Sequence, residues 1–291
     1  MSQLLKKAAS PEVLNHSWKS LKNDRAMWSE SISRKEMEKN IVLHLTTLAD
    51  DLRNGSYKPS NVRFSTITKA SGKKRIISAF TLRDKIAQRA VLSVIEEYGE
   101  KIFHADSYAY RKGRSIEMAV SKAREYIFCH MEWLVDADIQ NFFDEIPHAK
   151  LKKTLTKVLP DAGIVKLIHK WIDVGSTKTG IWQKRRGIPQ GAIISPFICN
   201  VYLTEFDNFL DANNLSFVRF ADDFLVFTQD KKSAQKALTI VQKGLKKLDL
   251  QLNDQKTRIV KSGPKVQFLG RKLPAPLKFS HENKSKRKGR R

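Results

Sequence analysis

The sequence predicts an α+β fold in which an antiparallel sheet packs on helices, and three observations carry that expectation. Apolar residues recur at helical spacing through long stretches, as in Leu82, Ile86, Ala90, Val94 and Ile95, the pattern of a buried helix face. Short β-branched and aromatic runs stand in pairs about turn signals, the pattern of hairpins. Two strand-like runs also carry carboxylates: residues 134–147, Leu-Val-Asp-Ala-Asp-Ile-Gln-Asn-Phe-Phe-Asp-Glu-Ile-Pro, and residues 216–227, Ser-Phe-Val-Arg-Phe-Ala-Asp-Asp-Phe-Leu-Val-Phe.

Within 216–227, two strands flank Ala221-Asp222-Asp223, although no glycine marks the turn. Adjacent carboxylates at roughly 4 Å repel by about 4 kcal/mol at an effective dielectric near 20. A whole domain is stable by only about 5 to 15 kcal/mol, so a hairpin sited in a core needs a reason to hold them. An isolated Asp-Asp pair marks a solvated turn as readily as a site. The second acidic run shifts the balance, because strand alternation puts Asp136 and Asp138 on one face, opposite Val135 and Ala137. If the two runs are neighbours in one sheet, Asp138 can face Asp222 and Asp223. Three converging carboxylates suit two divalent cations, with Mg²⁺ the expected hard, oxygen-seeking ion.

In chain order, residues 1–55 read as helical and end at the turn signal Asn54-Gly55-Ser56. Strand-like residues 62–67 and 75–78 make a hairpin with Lys73 and Lys74 near its tip. Cations there would suit a triphosphate, though solvated turn lysines read the same way. A long helix over 81–98 is followed by Ser-Tyr-Ala-Tyr-Arg-Lys-Gly-Arg-Ser at 107–115. That mixture of rings and cations is a candidate nucleic-acid contact, with Ser115 capping the next helix. Helices over 148–158 and 161–174 are split by Pro160-Asp161. Gly187-Ile188-Pro189-Gln190-Gly191 then lets the backbone approach something flat, and Ser195 as cap with Pro196 at the first helical position opens a helix to about residue 210. A helix over 232–248, a connection at 251–257, a strand, and Val266 to Gly270 complete the ordered part.

The 291 residues carry 54 Lys and Arg against 30 Asp and Glu, a net charge of +24, which points to a polyanionic partner, nucleic acid first. A generally solvated basic surface is the plainer alternative. Residues 278–291 hold seven cations against Glu282 and read as a tail able to grip nucleic acid. Cys129 and Cys199 are isolated, which argues against a disulfide framework and fits a reducing cytoplasm. No signal-peptide core and no apolar run long enough to span a bilayer is present.

Taken in order, the motifs resemble those of reverse transcriptases, and the bacterial branch related to group II intron proteins and retrons resembles them best. The likeness rests on Tyr57-Lys58-Pro59, on Lys73-Lys74-Arg75 followed by residues 81–88, and on residues 107–115. It continues through Asp138-Ile139-Gln140-Asn141-Phe142-Phe143, Gly187 to Gly191 with Ser195-Pro196, Phe220 to Asp223, Lys256-Thr257 and Phe268-Leu269-Gly270. The resemblance implies a right-hand polymerase fold: an N-terminal helical extension over 1–55, fingers over 56–130 interleaved with the palm, a palm over 131–270 and a basic tail over 271–291. It implies RNA-directed DNA synthesis from deoxynucleotides on an RNA template. Asp138, Asp222 and Asp223, with the backbone of Ile139, would hold two Mg²⁺ ions, for which Mn²⁺ can substitute, and Lys256 would protonate the departing pyrophosphate.

By the same carry-over Lys73 and Arg75 would hold the triphosphate, while Asn141, Phe142 and Gln190 would line the nucleotide site. Phe143, five residues beyond Asp138, would lie under the sugar and exclude a 2′-hydroxyl. Arg111, Arg114, Gly191, Phe268, Leu269 and Gly270 would touch template and primer. Phe220 stands where the family has tyrosine. Only 21 residues follow Gly270, too few for the usual helical thumb, so a thumb-less or vestigial form is expected, without maturase or endonuclease parts. A structured non-coding RNA, a second protein or a second copy of the chain would then grip the duplex. Such minimal forms resemble the compact antiphage-defence reverse transcriptases of the bacterial cytoplasm, with no membrane partner. A template-independent nucleotidyl transferase and a non-catalytic RNA-binding subunit are the alternatives.

Overall fold

The computed structural model describes residues 3–68, 72, 74–176 and 185–276. Four helices come first: α1 (Gln3–Ala8), α2 (Pro11–Ser20), α3 (Arg34–Lys39) and α4 (Ile41–Asn54), the last ended by Gly55 in the left-handed conformation. Strands β1 (Arg63–Thr68) and β2 (Lys74–Ala79) form the expected hairpin, with Arg63 opposite Ala79. Lys73 lies outside the described residues. Helix α5 (Leu82–Glu100) is capped by Thr81 and buried along much of its length. Helix α6 (Ile116–Phe128) starts where expected, with the Ser115 hydroxyl accepting from the Met118 amide.

The centre of the molecule is a four-stranded antiparallel sheet in the order β4-β5-β3-β6. Its strands are β3 (Trp133–Asp138), β4 (Ser216–Phe220), β5 (Asp223–Thr228) and β6 (Arg258–Lys261). Between β3 and β4 lie the single turn α7 (Phe142–Glu145), α8 (His148–Val158), α9 (Ala162–Gly175) and α10 (Ser195–Ala212). Helix α11 (Lys231–Lys247) joins β5 to β6, and the small hairpin of β7 (Gln267–Phe268) and β8 (Arg271–Lys272) follows.

Because alternate residues of a strand face opposite ways, each face of the sheet feeds a different apolar cluster. Val135, Ala137, Phe217, Phe224 and Val226 join the large core with α5, α8, α9, α10 and α11. Leu134, Val218, Leu225 and Phe227 face a smaller cluster with Ala119, Val120, Ala123 and Ile127 of α6, Tyr108, Phe268 and Leu273.

Two expectations need correction. Ser195 does not cap α10: it is already helical, and its hydroxyl donates 2.7 Å to the Pro189 carbonyl, tying the Gly-Pro loop to the helix it precedes. The basic tail does not begin at residue 271, because β8 pairs with β7 and Leu273 is buried, its amide donating to Val266.

One ion pair holds the sheet to its helices. Arg219 of β4 and Asp207 of α10 are both fully buried, with guanidinium-to-carboxylate distances of 2.7 and 2.5 Å. Removing one partner strands the other charge in the core. Asp207→Ala should therefore lower stability by about 3 to 5 kcal/mol, read as an earlier urea-unfolding midpoint with an unchanged slope.

Candidate active site

The acidic residues reach one place because of strand register. Asp138 at the end of β3 pairs with Asp223 at the start of β5, and Asp136 pairs with Leu225 on one side and Arg258 on the other. Directly opposed residues share a face, so Asp136, Asp138 and Asp223 stand on the face that carries Leu134, Leu225 and Phe227. Phe220 pairs with Asp223, which leaves Ala221 and Asp222 as a two-residue hairpin loop. Ala221 takes φ +60°, so the turn runs without a glycine, and its first loop residue is left-handed as tight hairpin turns require. The Asp222 carbonyl accepts from the Ile139 amide at 3.2 Å, and the Asp138 carbonyl accepts from Asn253 at 2.8 Å. The backbone thus fixes all three aspartates from both sides.

Burial of the carboxylates dominates the electrostatics, and at Asp223 their crowding adds to it. Burial pushes the Asp223 carboxyl up to about 7, helped by the charges of Asp136, Asp138 and Asp222 and opposed by Lys256. Asp136 is also raised, first by burial, while Arg258 at 2.8 Å pulls it back. The Lys256 ammonium sits 2.6 Å from Asp138, and that hydrogen bond raises its own pKa. Among the described residues no three His, Cys, Asp or Glu side chains stand grouped as ready metal ligands, and the Asp138 carboxylate is held by Lys256. The donor chemistry nonetheless fits a hard cation: the groups are all oxygen donors, and their mutual repulsion is what a divalent charge relieves.

A second cluster lies beside the first. Arg75 of β2 donates to the Gln190 side-chain oxygen and stands 6.0 Å from the centre of the Phe143 ring. The Gln190 amide nitrogen donates 3.1 Å to Asp144. The Gln190 carbonyl accepts from Ser78 at 2.7 Å, and Ile188 donates 2.7 Å to the Phe143 carbonyl. Gly191 has φ +114°, and a Cβ there would lie 2.8 Å from the Ser78 carbonyl oxygen. What the glycine admits is therefore the β2 backbone.

Other predicted residues divide. Asn141 is exposed with φ +45°, while Phe142 is buried in the large core edge-on to Phe143, so its ring serves packing. Arg111 also turns inward: it pairs with Glu100 at 2.7 Å and donates to the His104 and Ser107 carbonyls. Arg114 is half-buried over Tyr108 and donates to the Ala105 carbonyl. Phe268 is buried, and Leu269 and Gly270 turn the small hairpin with φ of +51° and +75°.

Sequence reasoning passed over Tyr110, which takes φ +60° and has its phenol pushed up by burial and then by Cys199 and Asp222. It also left Asp144 outside the metal set, as a bystander or helper, and did not single out Arg219. The only sequence signal for Tyr110 was its place among the rings and cations of residues 107–115.

The profile of the reverse transcriptase (RNA-dependent DNA polymerase) family matches residues 67–273. Protein YkfC of Escherichia coli K12 is 28% identical over 284 residues, covering 84% of this chain and 74% of YkfC. The group II intron-encoded protein LtrA of Lactococcus lactis is 30% identical over 206 residues, which is 69% of this chain but 34% of LtrA. Among solved structures, Candida albicans telomerase in complex with a telomeric RNA fragment superposes with a TM-score of 0.55 at 14% identity, covering 84% of this chain and 52% of that one. The chain thus spans most of YkfC but about a third of LtrA and about half of the telomerase chain.

Asp223 gives a pH test in metal-free buffer. Its folded pKa of about 7 lies above the ordinary 3.8, so the folded state holds its proton more tightly than the unfolded chain. The associated stability is complete below pH 4 and is lost as pH rises through about 7. Asp223→Asn should remove that component, so that the difference in unfolding free energy between variant and parent grows in the variant's favour from pH 5 to pH 8. A pH-independent difference would contradict the raised Asp223 pKa that burial and its carboxylate neighbours produce.

Proposed function

The chain belongs to the reverse transcriptase family, and from that premise we propose that it copies RNA into DNA by phosphoryl transfer at Asp138, Asp222 and Asp223. The observation that carries this reading is the Asp138–Asp223 pairing across β3 and β5 with Asp222 in the adjoining turn. In this reading the four-stranded sheet with its helices is the palm, and the β1–β2 hairpin belongs to the fingers. Two Mg²⁺ ions, or Mn²⁺ in their place, would be held by the three aspartates and the Ile139 backbone, supplying a lowered pKa for the primer hydroxyl and charge neutralisation for the triphosphate. The chain's own groups do the positioning. Arg75 grips the triphosphate, Phe143 blocks a 2′-hydroxyl, and Lys256 exchanges Asp138 for the pyrophosphate to which it delivers its proton.

The template we infer is a dedicated structured RNA in the bacterial cytoplasm, with antiphage defence as the role. The +24 charge supports a bulky polyanion. So does the company of the chain: the Retron Ec83 reverse transcriptase of Escherichia coli is 28% identical over 166 residues, 54% of this chain. A Cas6-RT-Cas1–Cas2 complex is a structural neighbour at TM-score 0.50, which makes a protein partner a further candidate. No helix among the described residues is long and apolar enough to cross a membrane. Purification from the native host, with sequencing of bound RNA and addition of deoxynucleotides and Mg²⁺, tests the template. One enriched RNA yielding complementary DNA supports the reading, whereas random RNA that needs an outside primer and template overturns it.

Two substitutions test the chemistry. Asp222→Asn should cut primer extension by about 10²- to 10³-fold or more, the scale of losing one charge-stabilising group, while RNA affinity stays unchanged. Phe143→Ala should raise ribonucleotide incorporation relative to deoxynucleotide; unchanged discrimination in single-nucleotide extension would remove the ring from the sugar site.

A further inference from the structure

Asp144 lies outside the three aspartates proposed to hold the metal ions. It stands in the single turn α7, directly after Phe143, and accepts from the Gln190 amide nitrogen at 3.1 Å. A carboxylate only accepts, so Gln190 must present its nitrogen to Asp144 and its oxygen to the opposite side. That oxygen is where Arg75 of β2 donates its Nε–H. With Nε so engaged, the guanidinium is held on the Phe143 side of the hairpin, 6.0 Å from the ring centre. The chain of contacts joins three elements distant in sequence, since Asp144 and Gln190 are 46 residues apart and Arg75 and Gln190 are 115 apart.

We propose that Asp144 is a positioning residue for nucleotide binding: by fixing the Gln190 amide orientation, it aims Arg75 at the triphosphate of the nucleotide whose sugar lies over Phe143. The inference rests on the polymerase reading above. An amide released from Asp144 can turn by 180°, placing its nitrogen against the Arg75 guanidinium, donor against donor. The hairpin then loses this side-chain tie to the Gly-Pro loop and keeps the backbone bond from Ser78 to Gln190. Arg75 is exposed, so its side chain becomes free to wander when that tie goes.

The test is steady-state extension of a primed RNA template with varied deoxynucleotide, using Asp144→Ala, Asp144→Asn, Arg75→Ala and the Asp144→Ala/Arg75→Ala double variant, each checked for an unchanged thermal unfolding midpoint. Asp144→Ala should raise the deoxynucleotide KM about tenfold with kcat nearly unchanged, the size of one misdirected contact to a charged group. Asp144→Asn, whose side-chain oxygen still accepts from Gln190, should recover most of that loss. In the Arg75→Ala background, Asp144→Ala should add almost nothing, because the two act through one chain. An unchanged KM in Asp144→Ala, or equal penalties with and without Arg75, overturns the proposal. If Arg75→Ala itself leaves KM unchanged, the fault lies instead in the assignment of Arg75 to the triphosphate.

Discussion

A guanidinium with no exposed surface must have every N–H satisfied, because an orphaned donor on a buried charge costs more than the fold can spare. Arg219 meets that demand with five hydrogen bonds: two to Asp207, one to Asn200, one to Ser107 and one to the Ala221 carbonyl. Those partners come from α10, from the segment before α6 and from the hairpin turn that carries Asp222. The backbone of the same residue takes part, accepting from Tyr108 and donating to Asp106 at 2.9 Å each. Residues 106–108 thereby extend the sheet beyond β4. Three pieces of chain that must agree on where the acidic turn lies are fixed by one side chain.

That arrangement explains why the turn can do without a glycine. Ala221 at φ +60° is a strained residue, tolerated only where its surroundings over-determine it. The Arg219 bond to its carbonyl and the Ile139 amide on the Asp222 carbonyl supply the determination from both ends. Asp222 and Asp223 then lie side by side despite their repulsion, with the Lys256 charge compensating Asp223 and pairing with Asp138 while Arg258 pairs with Asp136. The chain's cations therefore do two jobs at this sheet: Arg219 is buried and fixes the turn, while Lys256 and Arg258 pair with the acidic strands from the surface.

Alternation and caps made much of this legible before any coordinates. The shared face of Asp136 and Asp138 follows from a period of two, and the Ser115 cap follows from local hydrogen-bonding chemistry. Partners far away in sequence were not legible. Arg111 and Arg114 look alike in a loop of rings and cations, and only Glu100, on the preceding helix, draws the first inward. Phe142 and Phe143 are chemically identical neighbours, yet the first is buried in the core and the second lies half-buried against it beside Arg75. Arg219 reads as an ordinary strand cation until α10 is seen to place Asp207 against it.

The Gly-Pro loop shows how a correct motif can carry a different physical reason. Its glycines suggest close approach to something flat, and close approach is what they provide. At Gly187, with φ +89°, a Cβ would come within 3.2 Å of the Asp144 carbonyl; at Gly191 it would come within 2.8 Å of the Ser78 carbonyl. One glycine therefore seats the loop on α7 and the other seats it on β2, while Ser195 draws the intervening Pro189 carbonyl onto α10. Gln190 is suspended between those seats, and its side chain can reach both Asp144 and Arg75 only while both hold. A side chain at Gly191 would press the loop off β2, and one at Gly187 would crowd the α7 backbone. The glycines act first on the protein's own backbone, and through that on whatever the resulting cleft receives.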